Sequence, residues 1–331
     1  MATKVLHWGL LSTAHINDAL IPPLRASKRN QLLAVASRTQ DTADAYARKK
    51  RIRRAYGSYE ALLADPDIDV IYNSLPNQLH AEWTIKAVEA GKNVLCEKPL
   101  ALTVEEVDAV QAAARKHGRV VMEAFMYRHH PQTLQVQEIV KSGSLGTLKL
   151  VHGSFSFFLS RQGDVRLDPA LGGGSIWDIG CYPISYTRTV LGQNPREVFG
   201  WQVTGSTGID ETFVGQMRFD QGVHAQFDCS FVVPLRWSME IVGSDGTLSI
   251  PSPFKPNKDE KIYLRRGDKT KTVKIKGQEL YIGEVENMAD AILLGKEPRI
   301  SLEDSRANVG VIAALLESAR LGKPVALSDH V

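Results

Sequence analysis

The chain has 331 residues, of which 43% are hydrophobic and 23% are charged. This length predicts two domains, and this composition is that of a globular protein whose core needs neither disulfides nor metals. The formal net charge of +3 is too small to favour nucleic acid or a membrane as the main partner.

The cysteines and the N-terminal sequence indicate in which cellular compartment the protein is expected. Cys96, Cys181 and Cys229 form no CxxC pair, which argues against a disulfide framework or a zinc knuckle and fits a reducing compartment. The chain shows neither the pattern of a signal peptide nor a run approaching about eighteen apolar residues, so we expect no secretion and no transmembrane helix. We predict a cytoplasmic protein.

Up to about residue 125, short apolar runs alternate with helical patterns. Strands are predicted at 5–11, 32–36, 70–75, 93–97 and 120–124, and helices at 16–26, 41–49, 80–90 and 104–116. Asp41 is a plausible N-cap of the second helix. Strands separated by helices of this length indicate βαβ units, and therefore a parallel α/β domain over residues 1–124.

Beyond residue 125 the pattern changes to closely spaced strands. These are predicted at 148–158, 198–203, 212–219, 223–231, 237–242, 246–250 and 261–264, with helices at 131–141, 182–191, 284–294 and 303–321. Turn signals at 220–222 and 244–246 separate successive strands. We predict an α+β domain with a large, mainly antiparallel sheet over residues 125–331.

The first strand leads into the segment 9–17, GLLSTAHIN. In a Rossmann dinucleotide-binding domain the turn here approaches the pyrophosphate, which binds at the N-terminus of the next helix. A full glycine fingerprint is absent, because Ser12, Ala14 and Asn17 occupy its positions, so the motif alone leaves an ordinary βα turn open. The βαβ context favours dinucleotide binding, with contacts from Ser12, Thr13, Ala14, His15 and Ile16.

The end of the second strand bears on the choice between NAD and NADP. An NAD site usually has an acidic residue there, whereas this chain has Ser37 and Arg38. A guanidinium and a hydroxyl suit a 2′-phosphate, which favours NADP, with NAD possible. The alternative is a solvated surface arginine. The basic run at 48–54 is interpreted as the exposed end of the second helix rather than a nucleic-acid patch.

Glu97-Lys98-Pro99 follows the fourth strand. Ligands bind at the carboxyl ends of strands in an open parallel sheet, so Lys98 is expected near the cleft, where it can bond a substrate hydroxyl or lower the pKa of a nearby phenol. Pro99 is a candidate for a cis peptide bond. The alternative is an ordinary surface-loop lysine.

Five segments together resemble one family along essentially the whole chain. They are WGLLS at 8–12, LPNQLH at 75–80, EKP at 97–99, EAFMYR at 123–128 and GGGSIWDIGCY at 172–182. The chain thus resembles the glucose–fructose oxidoreductase/inositol dehydrogenase/MocA family, and most of all its branch of NADP-dependent xylose dehydrogenases and dimeric dihydrodiol dehydrogenases. The resemblance implies an oxidoreductase acting on a sugar, polyol or cyclic diol, as a homodimer or higher oligomer formed through the second-domain sheet.

The resemblance implies that Lys98 is catalytic and that Asp178 and Tyr182 are its partners, with Tyr182 where most members have histidine. Alcohol oxidation needs a base for the hydroxyl proton, and a phenol, whose ordinary pKa is about 10, must be tuned by a nearby cation to serve. We assign Tyr182 as acid/base, Lys98 as electrostatic partner and Asp178 as the group orienting substrate. The roles of Lys98 and Tyr182 could be exchanged, and Tyr182 could instead pack its helix while Asp178 caps it.

The resemblance implies further contacts. For the cofactor these are Ser74, Leu75, Pro76, Asn77, His80, Glu97, Lys98 and Arg128; helix capping is the competing role for His80. For the substrate they are Tyr127, Phe157, Gln162 and Arg166, with sheet core as the alternative for Phe157. We expect no metal at His129 and His130, because adjacent histidines diverge and no further ligand completes a set. A keto-sugar reductase and a non-catalytic dinucleotide-binding sensor are the alternative functions.

Overall fold

The structure, a computed structural model, describes residues 4–161 and 163–327. The chain forms two compact units. The first contains residues 1–129 and 281–305, and the second contains residues 130–280 and 306–331. Within the described residues, no helix combines the length and apolar character required to span a membrane.

The first unit is built on a six-stranded parallel sheet. In chain order its strands are β1 (Leu6–Leu11), β2 (Asn30–Ala36), β3 (Arg54–Tyr56), β4 (Val70–Asn73), β5 (Asn93–Glu97) and β6 (Val121–Ala124). Their order in the sheet is β3-β2-β1-β4-β5-β6. This is the Rossmann order, in which ligands bind where the order reverses beside β1. The predicted parallel α/β fold is confirmed.

Helices connect these strands, and the apolar strands between them are almost wholly buried. The helices are α1 (Asn17–Ala26), α2 (Gln40–Lys50), α3 (Tyr59–Leu63), α4 (His80–Glu89) and α5 (Val104–His117). A later helix, α8 (Ile282–Leu294), also belongs to this unit. Arg29 joins it to the sheet, since its guanidinium pairs with Glu286 and lies 2.6 Å from an Asp290 carboxylate oxygen.

Three details of this unit differ from the sequence predictions. β3 and α3 were not predicted, because three and five residues are too short to show a period. The N-cap of α2 is Thr39, whose hydroxyl accepts from the Thr42 amide, so the prediction of Asp41 was wrong. Asp41 lies in the first turn, where a carboxylate also interacts favourably with the helix dipole. Of the basic run at 48–54, only Arg48 to Lys50 form the last turn of α2, because Arg51 is its C-cap and Arg54 already belongs to β3, so the interpretation of the whole run as the exposed helix end was right only in part.

The second unit is built on a nine-stranded sheet. Its strands are β7 (Leu148–Ser156), β8 (Glu197–Thr204), β9 (Asp210–Arg218), β10 (His224–Ser230), β11 (Arg236–Gly243), β12 (Thr247–Ile250), β13 (Asp259–Arg266), β14 (Lys269–Lys276) and β15 (Val325–Ala326). Among the described strand pairings of this sheet, the pairing of β7 with β10 is parallel and all others are antiparallel. The mainly antiparallel sheet is confirmed, while β14 and β15 were not predicted.

Helices α6 (Pro131–Lys141), α7 (Cys181–Leu191) and most of α9 (Leu302–Leu321) belong to the second unit. One face of its sheet is buried and the other is open. Along β9, Phe213 and Met217 are buried, whereas Val214 and Arg218 point to solvent. This period of two explains the predicted strand pattern. The open face, hereafter the outer face, also exposes Trp201, more than half of whose surface is accessible.

Candidate active site

The turn after β1 is held by a network of short polar side chains. Ser12 has a φ of 140°, a backbone conformation that favours glycine. Its hydroxyl accepts from the Ala14 amide at 3.1 Å and lies 2.9 Å from the hydroxyl of Ser74 at the end of β4. Buried Asn17 donates to the Ser12 carbonyl at 2.9 Å and accepts from Ser74 at 2.8 Å. Serine therefore keeps the glycine-like turn by bonding it to the neighbouring strand end.

The first turn of α1 fits an anion. Ile16 is the N-cap position of this helix and no side chain caps it. In the part of the chain that the structure describes, the amides of Thr13, His15 and Ile16 donate no hydrogen bond. Uncapped amides at a helix N-terminus bind anions through hydrogen bonding and the helix dipole. The predicted pyrophosphate position is thus chemically suitable.

The end of β2 presents an accessible guanidinium. Ser37 is buried and its amide donates to the Tyr56 carbonyl at 3.0 Å, whereas Arg38 is exposed. Arg38 makes no ion pair with any described residue. Its charge acts on Tyr59, whose pKa is raised by burial and partly lowered again by Arg38. A surface depression of about 440 Å³ lies beside Thr13 and the exposed side of α2.

His80 bridges the loops that follow β4 and β5. It is buried, and its Nε2 and Nδ1 atoms each lie 2.7 Å from a carbonyl oxygen, that of Leu75 and that of Pro99 respectively. Burial lowers the pKa of the imidazole below its ordinary value. The hydrogen bonds to the two carbonyls act in the opposite direction, but their effect is smaller. A neutral imidazole has one N–H and donates to one carbonyl, whereas the imidazolium donates to both. The N-cap position of α4 is Leu79, so His80 does not cap the helix.

The rest of the loop after β4 leads directly into α4. Ser74 and Leu75 are buried, and Pro76 precedes a single helical turn, Asn77–Leu79. The side-chain amide of Asn73 donates through Nδ2 to the His80 carbonyl at 3.0 Å. These contacts fix the backbone of the segment for which we predict cofactor contacts.

The Glu97-Lys98-Pro99 turn is anchored on both sides. Its Lys98–Pro99 peptide bond is cis, as predicted. The Glu97 carboxylate accepts from the Lys98 amide at 3.3 Å and from the hydroxyl of Tyr72, a fully buried residue of β4. On the far side, the Leu100 amide donates to the buried carboxyl group of Glu123 at 2.9 Å. The backbone of Lys98 is therefore held by neighbours from three strands.

Glu123 has an unusual environment for an acid. Burial raises its pKa to about 7, although Ser305 and the Leu100 amide act in the opposite direction. Nearby, the Arg128 guanidinium pairs with the Asp304 carboxylate and is nine-tenths buried. The carboxyl group is thus poised to change charge near neutral pH, and it is bonded to the residue that follows the Glu97-Lys98-Pro99 turn.

The segment 127–130 is largely inaccessible. Tyr127 is fully buried, with its ring 5.8 Å from that of Phe125. Burial, together with Arg299 and Arg128, lowers the pKa of His129 to about 3. His130 instead caps α6, because its Nδ1 accepts from the Gln132 amide at 3.1 Å. Each histidine therefore has a separate structural role.

In the second unit, Asp178 lies in a π-helical turn, Ile176–Gly180, that continues into α7. Its carboxylate is paired with Arg166, at 2.7 Å from Nε, and a second guanidinium nitrogen lies 3.3 Å from buried Asp164. Asp178, followed by Asp164, raises the pKa of Arg166. The N-cap position of the turn is Ser175, so the alternative in which Asp178 caps its helix is wrong.

Tyr182 follows in the first turn of α7 and is 5% exposed. Its ring lies 5.3 Å from that of Phe155 on β7 and 5.5 Å from that of Phe254. These aromatic contacts fix the position of the phenol. Tyr182 thus packs in an aromatic cluster, and this packing is compatible with a chemical role for its hydroxyl.

The loop before this helix is tightly wound. A side chain at Gly173 would place its Cβ 2.5 Å from the Arg166 carbonyl oxygen, so only glycine lets the chain pass. Asp168 caps the short turn Pro169–Leu171. Phe157 is half-buried with its ring 5.4 Å from that of Phe231. The remaining predicted substrate residue, Gln162, lies outside the described residues.

Sequence reasoning missed two residues that bond predicted site residues, one in each unit. Tyr72 was placed in a strand without a role, although a tyrosine in a fully buried strand needs a partner for its hydroxyl. Asp164 was overlooked two residues before Arg166, where an acid-x-arginine pattern in a loop could have indicated the pair. Neither the buried tyrosine nor the acid-x-arginine pattern shows which atom the side chain contacts, because that depends on the tertiary structure.

Both parts of the chain match models of one protein family. Residues 7–125 match the model of an oxidoreductase family with an NAD-binding Rossmann fold, and residues 133–249 match the GFO/IDH/MocA C-terminal domain. A D-xylose 1-dehydrogenase (NADP(+)) of Haloferax volcanii is 38% identical over 97% of this chain and 99% of its own. A trans-1,2-dihydrobenzene-1,2-diol dehydrogenase of Danio rerio is 36% identical over 75% of each chain.

A solved structure is similar over nearly the same length. KijD10, a 3-ketoreductase from Actinomadura kijaniata in complex with NADP and TDP-benzene, superposes with a TM-score of 0.91 at 29% identity. The match covers 95% of this chain and 98% of that one. The family resemblance drawn from the five sequence segments is confirmed. The chain belongs to the GFO/IDH/MocA oxidoreductase family.

Proposed function

We propose that the protein is an NADP-dependent oxidoreductase that transfers a hydride between the nicotinamide and a sugar, polyol or cyclic diol. An aldose 1-dehydrogenase, such as a D-xylose dehydrogenase, or a trans-dihydrodiol dehydrogenase is the favoured form. The observation that carries the proposal is the presence of Lys98, in a turn anchored by buried His80, and of Tyr182, packed on Phe155, in a chain 38% identical to an NADP-dependent xylose dehydrogenase.

The cofactor proposal follows from the first unit. The uncapped start of α1 suits the pyrophosphate, and exposed Arg38 suits the 2′-phosphate of NADP. Ser74 to Asn77, His80, Glu97 and Arg128 are proposed to hold the nicotinamide end. KijD10, solved with NADP, supports the choice of NADP over NAD.

The chemistry follows from the residue types. Bound nicotinamide supplies the hydride acceptor or donor. We assign Tyr182 to hold and transfer the substrate hydroxyl proton, and Lys98 to stabilise the negative charge that develops on the substrate oxygen. Because a phenol ordinarily titrates near pH 10, this assignment requires a cation that favours its ionisation, and we propose Lys98 for that role.

The Arg166–Asp178 pair modifies the role predicted for Asp178. A carboxylate bonded to a guanidinium at 2.7 Å has its charge balanced and is a poor proton acceptor. The pair instead offers both acceptors and donors in a fixed geometry, which suits adjacent substrate hydroxyls. We therefore propose that Arg166 and Asp178 orient the substrate, with Phe157, Gln162 and Tyr127 as further contacts.

We also propose that residues 1–124 bind the cofactor and residues 125–331 bind substrate and form a homodimer through the outer face of the nine-stranded sheet. Exposed Trp201, Val203 and Val214 on that face support this, since large exposed apolar side chains mark interfaces. Three buried free cysteines accord with a cytoplasmic protein. Sedimentation of wild type and Trp201→Glu tests the dimer, and a wild-type monomer would contradict it.

Spectrophotometry of the purified protein tests the activity. NADP⁺ is offered with D-xylose, other aldoses and a trans-dihydrodiol, and NADPH is offered with keto-sugars. Turnover on an aldose or diol supports the dehydrogenase, and faster turnover on a keto-sugar supports the alternative reductase of the same family. Tight NADP binding with no turnover on any substrate would instead make the protein a dinucleotide-binding sensor.

A further inference from the structure

A buried carboxylate from the sheet meets the start of the helical segment that carries Asp178 and Tyr182. Asp210, the first residue of β9, is 5% exposed. One of its oxygens, Oδ2, accepts from the Ser175 hydroxyl at 2.6 Å and from the Ile176 amide at 2.8 Å. The donors are consecutive residues, although they are more than thirty positions from Asp210 in sequence.

These bonds take the place of a local helix cap. Ser175 is the N-cap position of the Ile176–Gly180 turn, yet its side chain makes no capping bond to this turn. Its hydroxyl donates to Asp210 instead. The same carboxylate oxygen accepts a hydrogen bond from the backbone amide of Ile176, the first residue of the turn. A carboxylate at a helix N-terminus is stabilised by the unsatisfied amides and by the helix dipole.

The neighbouring backbone is shaped to admit this carboxylate. Gly174 has a φ of 127°, and a Cβ at that position would lie 2.3 Å from Asp210 Oδ1. Gly180, at the other end of the turn, faces Cys229 on β10, whose Sγ would lie 2.9 Å from an added Cβ. The two glycines therefore let the turn lie directly against β9 and β10.

We propose that Asp210 is a positioning residue for the reaction, fixing the start of the helical segment so that Asp178 and Tyr182 are held in place. The inference rests on the proposed function, because it takes these two residues as the reactive ones. Asp210 contacts the chain two residues before Asp178 and six before Tyr182. Because the backbone of a helix is continuous and rigid, a shift at Ile176 also moves the side chains of Asp178 and Tyr182.

The kinetic test compares Asp210→Ala with Asp210→Asn and with Asp220→Asn. Asp220 is a matched control, since it is exposed in the turn after β9 and pairs with Arg196. Misplacement by about 1 Å costs on the order of 100-fold in rate. We expect kcat to fall by about that factor in Asp210→Ala and by less in Asp210→Asn, which keeps one acceptor oxygen. The Kd for NADP stays within about twofold, and Asp220→Asn behaves as wild type.

Hydrogen exchange gives a readout independent of turnover. Mass spectrometry of the peptide containing residues 174–184 should show faster exchange in Asp210→Ala and in Ser175→Ala, which removes one donor. Unchanged exchange in folded Asp210→Ala, or a kcat within about threefold of wild type, would overturn the proposal. If wild type turns over no substrate, the proposed function fails, while exchange still reports whether Asp210 holds the turn.

Discussion

The Nδ1 atom of His80 lies 2.7 Å from the carbonyl oxygen of Pro99, so a side chain at the start of α4 holds the turn that carries Lys98. The other ring nitrogen lies 2.7 Å from the Leu75 carbonyl oxygen in the preceding loop. One imidazole thereby links the loop assigned to the cofactor with the loop assigned to catalysis. Both loops lie at the carboxyl ends of neighbouring parallel strands.

Removing this link should impair cofactor binding and turnover together. Losing a buried hydrogen bond costs about 1–3 kcal/mol, which corresponds to roughly 5- to 150-fold in rate or affinity. We expect His80→Ala to lower kcat and to weaken NADP binding, both within that range, in steady-state kinetics and fluorescence titration. His117→Ala, at the end of α5, is the control. Loss of one parameter alone would show that His80 does not couple the loops.

The assignment of Lys98 and Tyr182 is tested by replacing each reactive group. General acid–base catalysis contributes typically about 10² to 10⁴-fold. We expect Lys98→Met and Tyr182→Phe to lose at least about 100-fold in kcat with little change in NADP affinity. Tyr186→Phe, one helical turn further along α7 and also packed on Phe254, controls for removing a phenol hydroxyl. Wild-type rates in either reactive-group variant would refute its catalytic role.

Discrimination between NADP and NAD should depend on Arg38. A charge-assisted bond contributes about 1.5–3 kcal/mol, so Arg38→Ala should weaken NADP binding by roughly 10- to 150-fold and NAD binding far less. Titration of protein fluorescence with each dinucleotide measures both constants. Arg48→Ala, in the last turn of α2, serves as the control for loss of a nearby positive charge. Equal losses for the two cofactors would show that Arg38 does not contact the phosphate.

Glu123 should make stability depend on pH. Burial raises its pKa to about 7 from 4.5, so the folded state binds the proton more tightly than the unfolded state does. The stabilisation is therefore complete below about pH 4.5 and is lost as pH rises through 7, by about 3 kcal/mol. Glu123→Gln should lack this loss.

Urea unfolding at pH 4.5 and pH 8 measures the effect as the change with pH in the difference between variant and wild type. The exposed Glu89→Gln is the control, and its difference from wild type should be independent of pH. A parallel pH dependence of wild type and Glu123→Gln would show that Glu123 titrates normally.

Local sequence patterns predicted most of the fold because the relevant periods are long and regular. β5, α5 and α6 were located within one residue, since each has a clear apolar period and distinct ends. β3 and α3 are too short to show such a period. β14 is rich in lysine because it is an edge strand, and this composition conceals a strand pattern.

For the candidate site, the sequence indicated which residues to propose but not which atoms they contact. Lys98 and the position of its cis proline follow from a turn at a strand end, and Tyr182 from a motif. The bridge from His80 to Pro99 and the pairing of Asp178 with Arg166 depend on atoms brought together by tertiary structure. Asp210 carried no signal at all, because its partners lie at 175 and 176.

The place of α8 in the first unit has a consequence for how the protein is made. Residues 281–305 complete that unit, and they include Glu286 and Asp290, the acidic partners of Arg29. During synthesis residues 1–129 of this unit emerge before residues 281–305. More than 150 further residues must be added before α8 can pack against them. Arg29 remains without its α8 partners for that whole interval, and a nascent chain released early would keep the surface that α8 covers exposed to chaperones and proteases.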